Sequence, residues 1–235
     1  MGVLKFRYEF DLDDAETRSY DLQIDESDLR LVNAPSGDLP EWTELEFSKC
    51  EHCPLRAEDR SHYPIAVNIA QVAEEFHDRT SFEETEVRVI GPERTYAKRL
   101  PLQRGLFSIL GLIMATSDCP HTRFLRPMAR FHLPFASSME TIVRTVSMFL
   151  LRRHFESHAN DEERFDLSQL DEHYAALNGV NRGIVERIRS IATGDADANA
   201  IIILHSLAVL LSQSLADELT EVAELFRSSG QLEAP

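Results

Sequence analysis

The chain has 235 residues, of which 43% are hydrophobic, and carries a formal net charge of -16 at pH 7. This length and apolar content suffice for a globular protein with a substantial core, while the negative charge disfavours nonspecific binding to nucleic acid or to an anionic membrane. No apolar run of about 18 residues is present and residues 1–10 lack an apolar signal core, so we predict a cytoplasmic protein that does not span a membrane.

The first 48 residues are predicted to form β structure. Apolar and polar residues alternate over 5–12 and again over 20–24, a pattern that is typical of a β-hairpin. After a loop that contains proline and glycine, the alternation returns over 42–47 and predicts a further strand that ends just before Cys50.

The middle of the chain combines helices with a second hairpin. Apolar residues at helical spacing predict a short amphipathic helix over 64–77. Alternation over 86–90 and 95–100, on either side of a Gly-Pro turn, predicts the second hairpin. Residues 102–116 carry a wide apolar stripe, which predicts the central helix of the core.

The remainder of the chain is predicted to be helical over 138–158, 167–191 and 199–226. Gly179 and Gly183 favour a break within the second of these helices. The third is apolar around much of its first half, so either the two preceding helices or another subunit must cover it. We favour a homodimer or a protein partner bound through these C-terminal helices.

These elements predict an α+β fold, in which an N-terminal antiparallel β part with a cysteine-rich knuckle is followed by a C-terminal helical bundle. We expect a mainly β region over 1–101 and a mainly helical region over 102–235. The two regions are predicted to pack together as one compact unit.

All three cysteines lie in two short motifs, Cys50-Glu-His-Cys53-Pro and Cys119-Pro-His. An odd number of cysteines is not the framework of a secreted disulfide domain, and a reducing compartment leaves the thiols free to bind a metal or to react. Two cysteines separated by two residues place both sulfurs on one side of a tight turn. There they can bind a tetrahedral zinc ion, with Cys119 as the third ligand.

The fourth zinc ligand is predicted to be a histidine, because imidazole completes sites that contain three cysteines. The candidates are His62, His52 and His121. The alternative is that the three cysteines are small buried hydrophobic residues without a metal.

The sequence places a proline directly after Cys53, Tyr63 and Cys119. Because proline is favoured as the first residue of a helix, we predict that these three residues are helix N-caps that face the positive end of a helix dipole. A thiol in that position has a lowered pKa, so Cys119, with His121 close to it, is the candidate for a reactive thiol.

Basic residues are concentrated in the middle of this acidic chain, since residues 88–153 carry 11 basic and 3 acidic side chains, a net charge of +8. Arg123, Arg126 and Arg130 lie in this segment at helical spacing. They are candidates to clamp a small anion such as phosphate by forked hydrogen bonds, with His132 close by. The alternative is that the arginines pair with acidic residues of the flanking segments.

The chain resembles a bacterial family of uncharacterised proteins, a domain of unknown function. The resemblance rests on Cys50-x-x-Cys53-Pro-Leu, on Cys119-Pro-His and on Met-Ala-Arg-Phe-His-Leu-Pro-Phe over 128–135. It implies a bacterial cytosolic protein and no particular mechanism. It also implies that the family has a cysteine where this chain has Tyr63. Four cysteines would suit a metal ion in the other members of the family, and a histidine would replace the fourth cysteine in this chain.

Two functional hypotheses follow. The first is a metal-stabilised interaction or regulatory module, which is supported because the sequence has no phosphate loop, dinucleotide fingerprint, zinc-protease motif or nucleophile elbow. The second is a thiol- or metal-dependent enzyme or redox sensor centred on Cys119, His121 and His132. A pocket lined by these three residues would favour the second.

Overall fold

The structure of the chain is a computed structural model. It describes residues 2–12, 16–35, 37–156, 166–213 and 215–230, without the side chains at 197, 203, 204, 206, 207 and 210–218.

Four antiparallel strands form one sheet. They are β1 (Val3–Leu12), β2 (Thr17–Asp25), β3 (Glu84–Ile90) and β4 (Thr95–Pro101), in the order β2-β1-β3-β4. In register, Tyr8 of β1 faces Tyr20 of β2 on one side and Val89 of β3 on the other. Both predicted hairpins are therefore confirmed, and β1 joins them in the middle of the sheet.

Seven helices are present in the described part of the chain. Their bounds are α1 (Pro64–Phe76), α2 (Leu102–Thr116), α3 (Arg126–Arg130), α4 (Ser138–Phe155), α5 (Ser168–Arg189), α6 (Ala196–Gln213) and α7 (Leu215–Ser228). The predicted α+β class is confirmed. No helix in the described ranges is long and apolar enough to cross a membrane.

The core lies between one face of the sheet and the helices. Alternate residues of β1 are buried and 11 of the 15 residues of α2 are buried, so α2 is the central helix that its apolar stripe predicts. Gly105 brings α2 close to the sheet, because a Cβ at this position would lie 2.8 Å from Cγ2 of Val87 and 2.9 Å from Cε1 of Phe10.

The predicted strand over 42–47 is wrong. Residues Glu41–Thr43 form a 3₁₀ helix, and Glu44 makes only an isolated antiparallel bridge with His62. Within this segment Trp42, Thr43 and Leu45 are buried and Phe47 is partly buried, although the segment does not join the sheet.

One of the helix predictions needs correction. The helix predicted over 167–191 is continuous as α5, without a break at Gly179 or Gly183. The helix predicted over 199–226 is helical on both sides of residue 214, as α6 and α7, and residue 214 itself lies outside the described residues. The prediction of a homodimer or a protein partner relied on apolar residues of this region. Their side chains at 203, 204, 207, 210, 211 and 215 lie outside the described residues.

Candidate functional site

The candidate site is built around Arg187, a fully buried arginine near the end of α5. The side chain is 1% exposed. Its Nη1 donates hydrogen bonds to the carbonyl oxygens of Trp42 and Glu44, at 2.5 and 2.7 Å, and its Nη2 donates to the carbonyl of Leu45 at 3.1 Å. These bonds attach the segment that leads to Cys50 to the helical part of the protein.

The guanidinium of Arg187 also lies over two aromatic rings. Its central carbon is 5.1 Å from the ring centroid of Tyr63 and 5.8 Å from that of Phe47. Burial lowers the pKa of Arg187 to about 10, while Tyr63, Cys50 and Cys53 act in the opposite direction. The group therefore remains protonated at neutral pH and supplies a positive charge beside the cysteines.

The turn that carries Cys50 and Cys53 packs directly on α5. A Cβ at Gly183 would lie 2.8 Å from the carbonyl oxygen of Ser48, so only glycine allows the turn to approach this closely. Ser48 has a positive φ of 48°, and the amide of Cys53 donates to the carbonyl of Cys50 at 3.0 Å. Gly183 is thus the contact point of the turn and not a helix break.

The second cysteine motif meets this turn through Tyr63. As predicted, Tyr63 is the N-cap of α1, and Cys119 is the N-cap of a 3₁₀ helix over Pro120–Leu125. No helix follows Cys53, so that part of the N-cap prediction is wrong. The Tyr63 hydroxyl is 3.3 Å from the Cys119 sulfur, within hydrogen-bonding distance.

Burial raises the pKa of Cys50, Cys119 and Tyr63, and neighbouring thiols add to this effect. Burial raises the pKa of Cys50 to about 12, and Cys53 and Cys119 add to this effect. The pKa of Tyr63 is raised by burial and by the same three cysteines. Burial also raises the pKa of Cys119, and it outweighs hydrogen bonds from Tyr63 and from the backbone of the following turn. The predicted lowering of the Cys119 pKa is therefore wrong.

The predicted histidine ligands have other partners. His62 Nδ1 is 2.9 Å from the Thr43 hydroxyl, and His121 Nε2 is 2.8 Å from the carbonyl of His52. Within the described residues, no group of three or more His, Cys, Asp or Glu side chains is arranged to hold a metal ion. The zinc site over Cys50, Cys53, Cys119 and His62 therefore stays a prediction.

A family match covers almost the whole chain. The family described as Domain of unknown function (DUF6901) matches residues 4–227. The chain belongs to this family. Searches of the curated proteins and of the solved structures found no match.

The three arginines of the predicted anion site point to different neighbours. Arg126 forms an ion pair with Asp118 at 3.3 Å, and Arg130 forms one with Glu93 at 3.0 Å. Arg123 is exposed. Both carboxylates lie within the basic segment 88–153, so these two arginines pair with acidic residues of their own segment and not of the flanking segments, and anion binding by this cluster stays a prediction.

The partners of His132 could not be predicted from the sequence. Its Nε2 shares a hydrogen bond with the hydroxyl of Tyr8, which also lies 2.9 Å from the hydroxyl of Ser108. Burial lowers the pKa of His132 to about 3, and the charge of Arg144 contributes. His132 is therefore a neutral residue of the core between β1 and α2.

Replacing Arg187 should destabilise the protein. In Arg187→Met, three main-chain carbonyls lose their donor, so we expect the free energy of unfolding to fall by about 3 kcal/mol in urea titrations. The control is Arg189→Met, on the exposed side of the same helix, which should change stability by less than about 0.5 kcal/mol. Equal stability of the two variants would contradict the role of Arg187.

The neutral state of His132 should make stability depend on pH. Its folded pKa lies below the unfolded value of about 6.5, so its contribution is complete above pH 6.5 and is lost as the pH falls toward 3. Between pH 7.5 and 5 this costs about 2 kcal/mol. Urea titrations at both pH values should show that His132→Phe loses this difference and that His154→Gln, at an exposed position of α4, keeps it. The same pH dependence in His132→Phe would exclude this histidine as the cause.

Proposed function

We propose that the protein is a cytoplasmic, metal-stabilised interaction module, in which Cys50, Cys53 and Cys119 bind a zinc ion beside Tyr63. The observation that carries the proposal is the convergence of the two cysteine motifs on Tyr63 and Arg187. Cysteines more than 60 positions apart in the chain interact electrostatically in the folded protein, since Cys119 contributes to the raised pKa of Cys50.

The electrostatics of the cluster favour a cation. Each thiol must lose its proton to become a ligand, and burial together with the other thiols opposes this loss when no metal is bound. A divalent ion removes that opposition, because it neutralises the thiolates that it binds. Metal binding would require the side chains to move, because the three sulfurs are not arranged around one ion in the described residues.

Tyr63 lies beside the cysteines. The resemblance to the family implies a cysteine at this position, and the Tyr63 hydroxyl lies next to the Cys119 sulfur. A phenol is a weaker zinc ligand than a thiolate, so this chain should bind zinc less tightly than a protein with four cysteines.

The alternative of a thiol enzyme or redox sensor centred on Cys119, His121 and His132 has less support. Such chemistry requires a thiolate, and burial raises the pKa of Cys119. His132 contacts Tyr8 in the core, and His121 bonds to the carbonyl of His52. These contacts supply no base to Cys119.

Metal binding should respond to position 63. We expect native mass spectrometry of untagged protein to show one zinc ion per chain, and Tyr63→Cys to bind zinc at least about tenfold more tightly because a fourth thiolate replaces the phenol. Cys53→Ala should lose the ion. Tyr63→Phe is the matched control for the ring, since it keeps the contact with Arg187 and removes only the hydroxyl. Protein without metal in the wild type and in Tyr63→Cys, with unchanged melting in chelator, would contradict the proposal.

The interaction surface of the module is proposed to lie on the C-terminal helices. Helices α4 and α7 contact each other, and both expose large apolar side chains. Phe155 is 77% exposed and Leu225 is 62% exposed, with Leu151 and Phe226 also exposed. Apolar surface of this kind marks interfaces, and a second copy of the chain is the partner that we propose.

The oligomeric state tests this surface. We expect light scattering to give the mass of a dimer for the wild type, and Leu225→Glu to shift it toward the monomer because a charge then lies in the apolar contact. Glu221→Gln, at an exposed position one turn earlier on α7, should leave the mass unchanged. A monomeric wild type at all concentrations would contradict the proposal.

A further inference from the structure

A cavity of about 140 Å³ lies between α2, α4, α5 and the segment over 125–136. Its wall is mainly apolar and includes Leu112, Met128, Phe135 and Leu177. An engineered apolar cavity of about 150 Å³ is large enough to bind benzene, so this space suits a ligand with one aromatic ring. The cavity is separate from the cysteine cluster, because none of the three cysteines lines it.

Asn181 introduces an unpaired amide into this wall. The residue is 1% exposed, and neither its Oδ1 nor its Nδ2 has a hydrogen-bond partner. A buried polar group without a partner costs about 1–3 kcal/mol, and an apolar residue of similar size would avoid that cost at the same position. The amide thus offers one donor and one acceptor to a molecule in the cavity.

Arg144 provides the only formal charge among the cavity-lining residues that the structure describes. Its Nη2 donates to the carbonyls of Met128 and Phe131, at 3.2 and 2.7 Å, which fixes the position of the guanidinium. None of the described ion pairs includes Arg144. Glu140, one turn earlier on α4, accepts a hydrogen bond from the amide of Ser137 in the helix cap instead.

The other polar groups of the wall already have partners inside the protein. The hydroxyl of Tyr174 lies 3.1 Å from that of Thr145, and His132 bonds to Tyr8. The cavity wall therefore offers a guanidinium that belongs to none of the described ion pairs and an unpaired neutral amide, in mainly apolar surroundings. This combination selects a ligand with an apolar body and an anionic group.

We propose that this cavity binds a small aromatic carboxylate, with the carboxylate paired to Arg144 and a second polar group hydrogen-bonded to Asn181. The aromatic ring fills the apolar space between them. Burial strengthens the ion pair, because few water molecules remain to compete for the guanidinium.

Three matched probes test the chemistry of the ligand in calorimetric titrations of the full chain. They are 4-hydroxyphenylacetate, which has both polar groups, phenylacetate, which lacks the hydroxyl, and tyramine, which replaces the carboxylate by an ammonium. Fragments of this size bind with dissociation constants of about 1 mM. We expect the hydroxy acid to bind most tightly, phenylacetate about tenfold more weakly and tyramine not measurably.

Variants assign the two contacts. Asn181→Leu should melt no lower than the wild type without ligand, because an unpaired amide is removed, and should bind the hydroxy acid only as well as phenylacetate. Arg144→Met should lose both acids. If that variant does not fold, Arg144→Lys keeps the charge and must still prefer the acids to tyramine. Arg182→Met, at an exposed position next to Asn181, is the control and should bind like the wild type.

Three results would overturn the proposal. Tyramine binding as tightly as the acids would exclude an anion site. Hydroxy acid binding that is equal in Asn181→Leu and the wild type would exclude the amide contact. No binding of any probe, together with a lower melting temperature of Asn181→Leu, would show that Asn181 bonds only to a structural water molecule.

Discussion

Arg187 donates three hydrogen bonds to main-chain carbonyls of residues 42–45, and the arrangement of the cysteine motifs depends on them. A buried guanidinium is costly unless it is hydrogen-bonded, and a non-helical segment in the core is costly unless its carbonyls find donors. The two compensate each other at Nη1 and Nη2 of Arg187, while its Nε has no partner in the described part of the chain. The segment then leads to Cys50 at the surface of α5, where Gly183 leaves room for it.

Helix α5 connects the two proposed sites. Arg187 faces the cysteine turn, and Asn181 faces the apolar cavity. Tyr174 and Leu177, in the earlier turns of the helix, also line that cavity. Binding at either site should therefore order the same helix. The two sites still differ in chemistry. One contains thiol groups whose protons a metal ion can displace, and the other offers a fixed positive charge to an organic anion.

Local sequence patterns predicted the strands and helices in which buried residues recur at regular positions. The hairpins of the sheet and helices α1, α2 and α4 follow from alternation or helical spacing alone, because their buried residues repeat every two or every three to four positions. Segment 42–47 also alternates, yet the partner of Trp42 lies 145 positions away in the chain. No local pattern contains that information. Many of the apolar side chains of the third predicted helix, between 203 and 215, lie outside the described residues.

The candidate site was predicted in part. The Cys-x-x-Cys and Cys-Pro-His motifs identified the three thiols, and the repeated step before proline singled out Tyr63. Arg187 and Asn181 were missed, although Arg187 follows Val180 and Ile184 at helical spacing on a buried face of α5, as Asn181 follows Leu177. A polar residue inside an apolar stripe is the signal that would have found both. The pKa of Cys119 was predicted in the wrong direction, because burial cannot be read from a helix cap.

Hydrogen exchange of the 42–63 segment tests most directly whether Arg187 makes this segment part of the core. The amide of Leu45 bonds to the carbonyl of Ser61, and the amide of Tyr63 bonds to that of Thr43, both at 2.8 Å. We predict that these two amides exchange as slowly as those of β1 in the wild type and much faster in Arg187→Met, while β1 remains protected. Exchange of both amides at the rate of an unstructured peptide in the wild type would contradict this account.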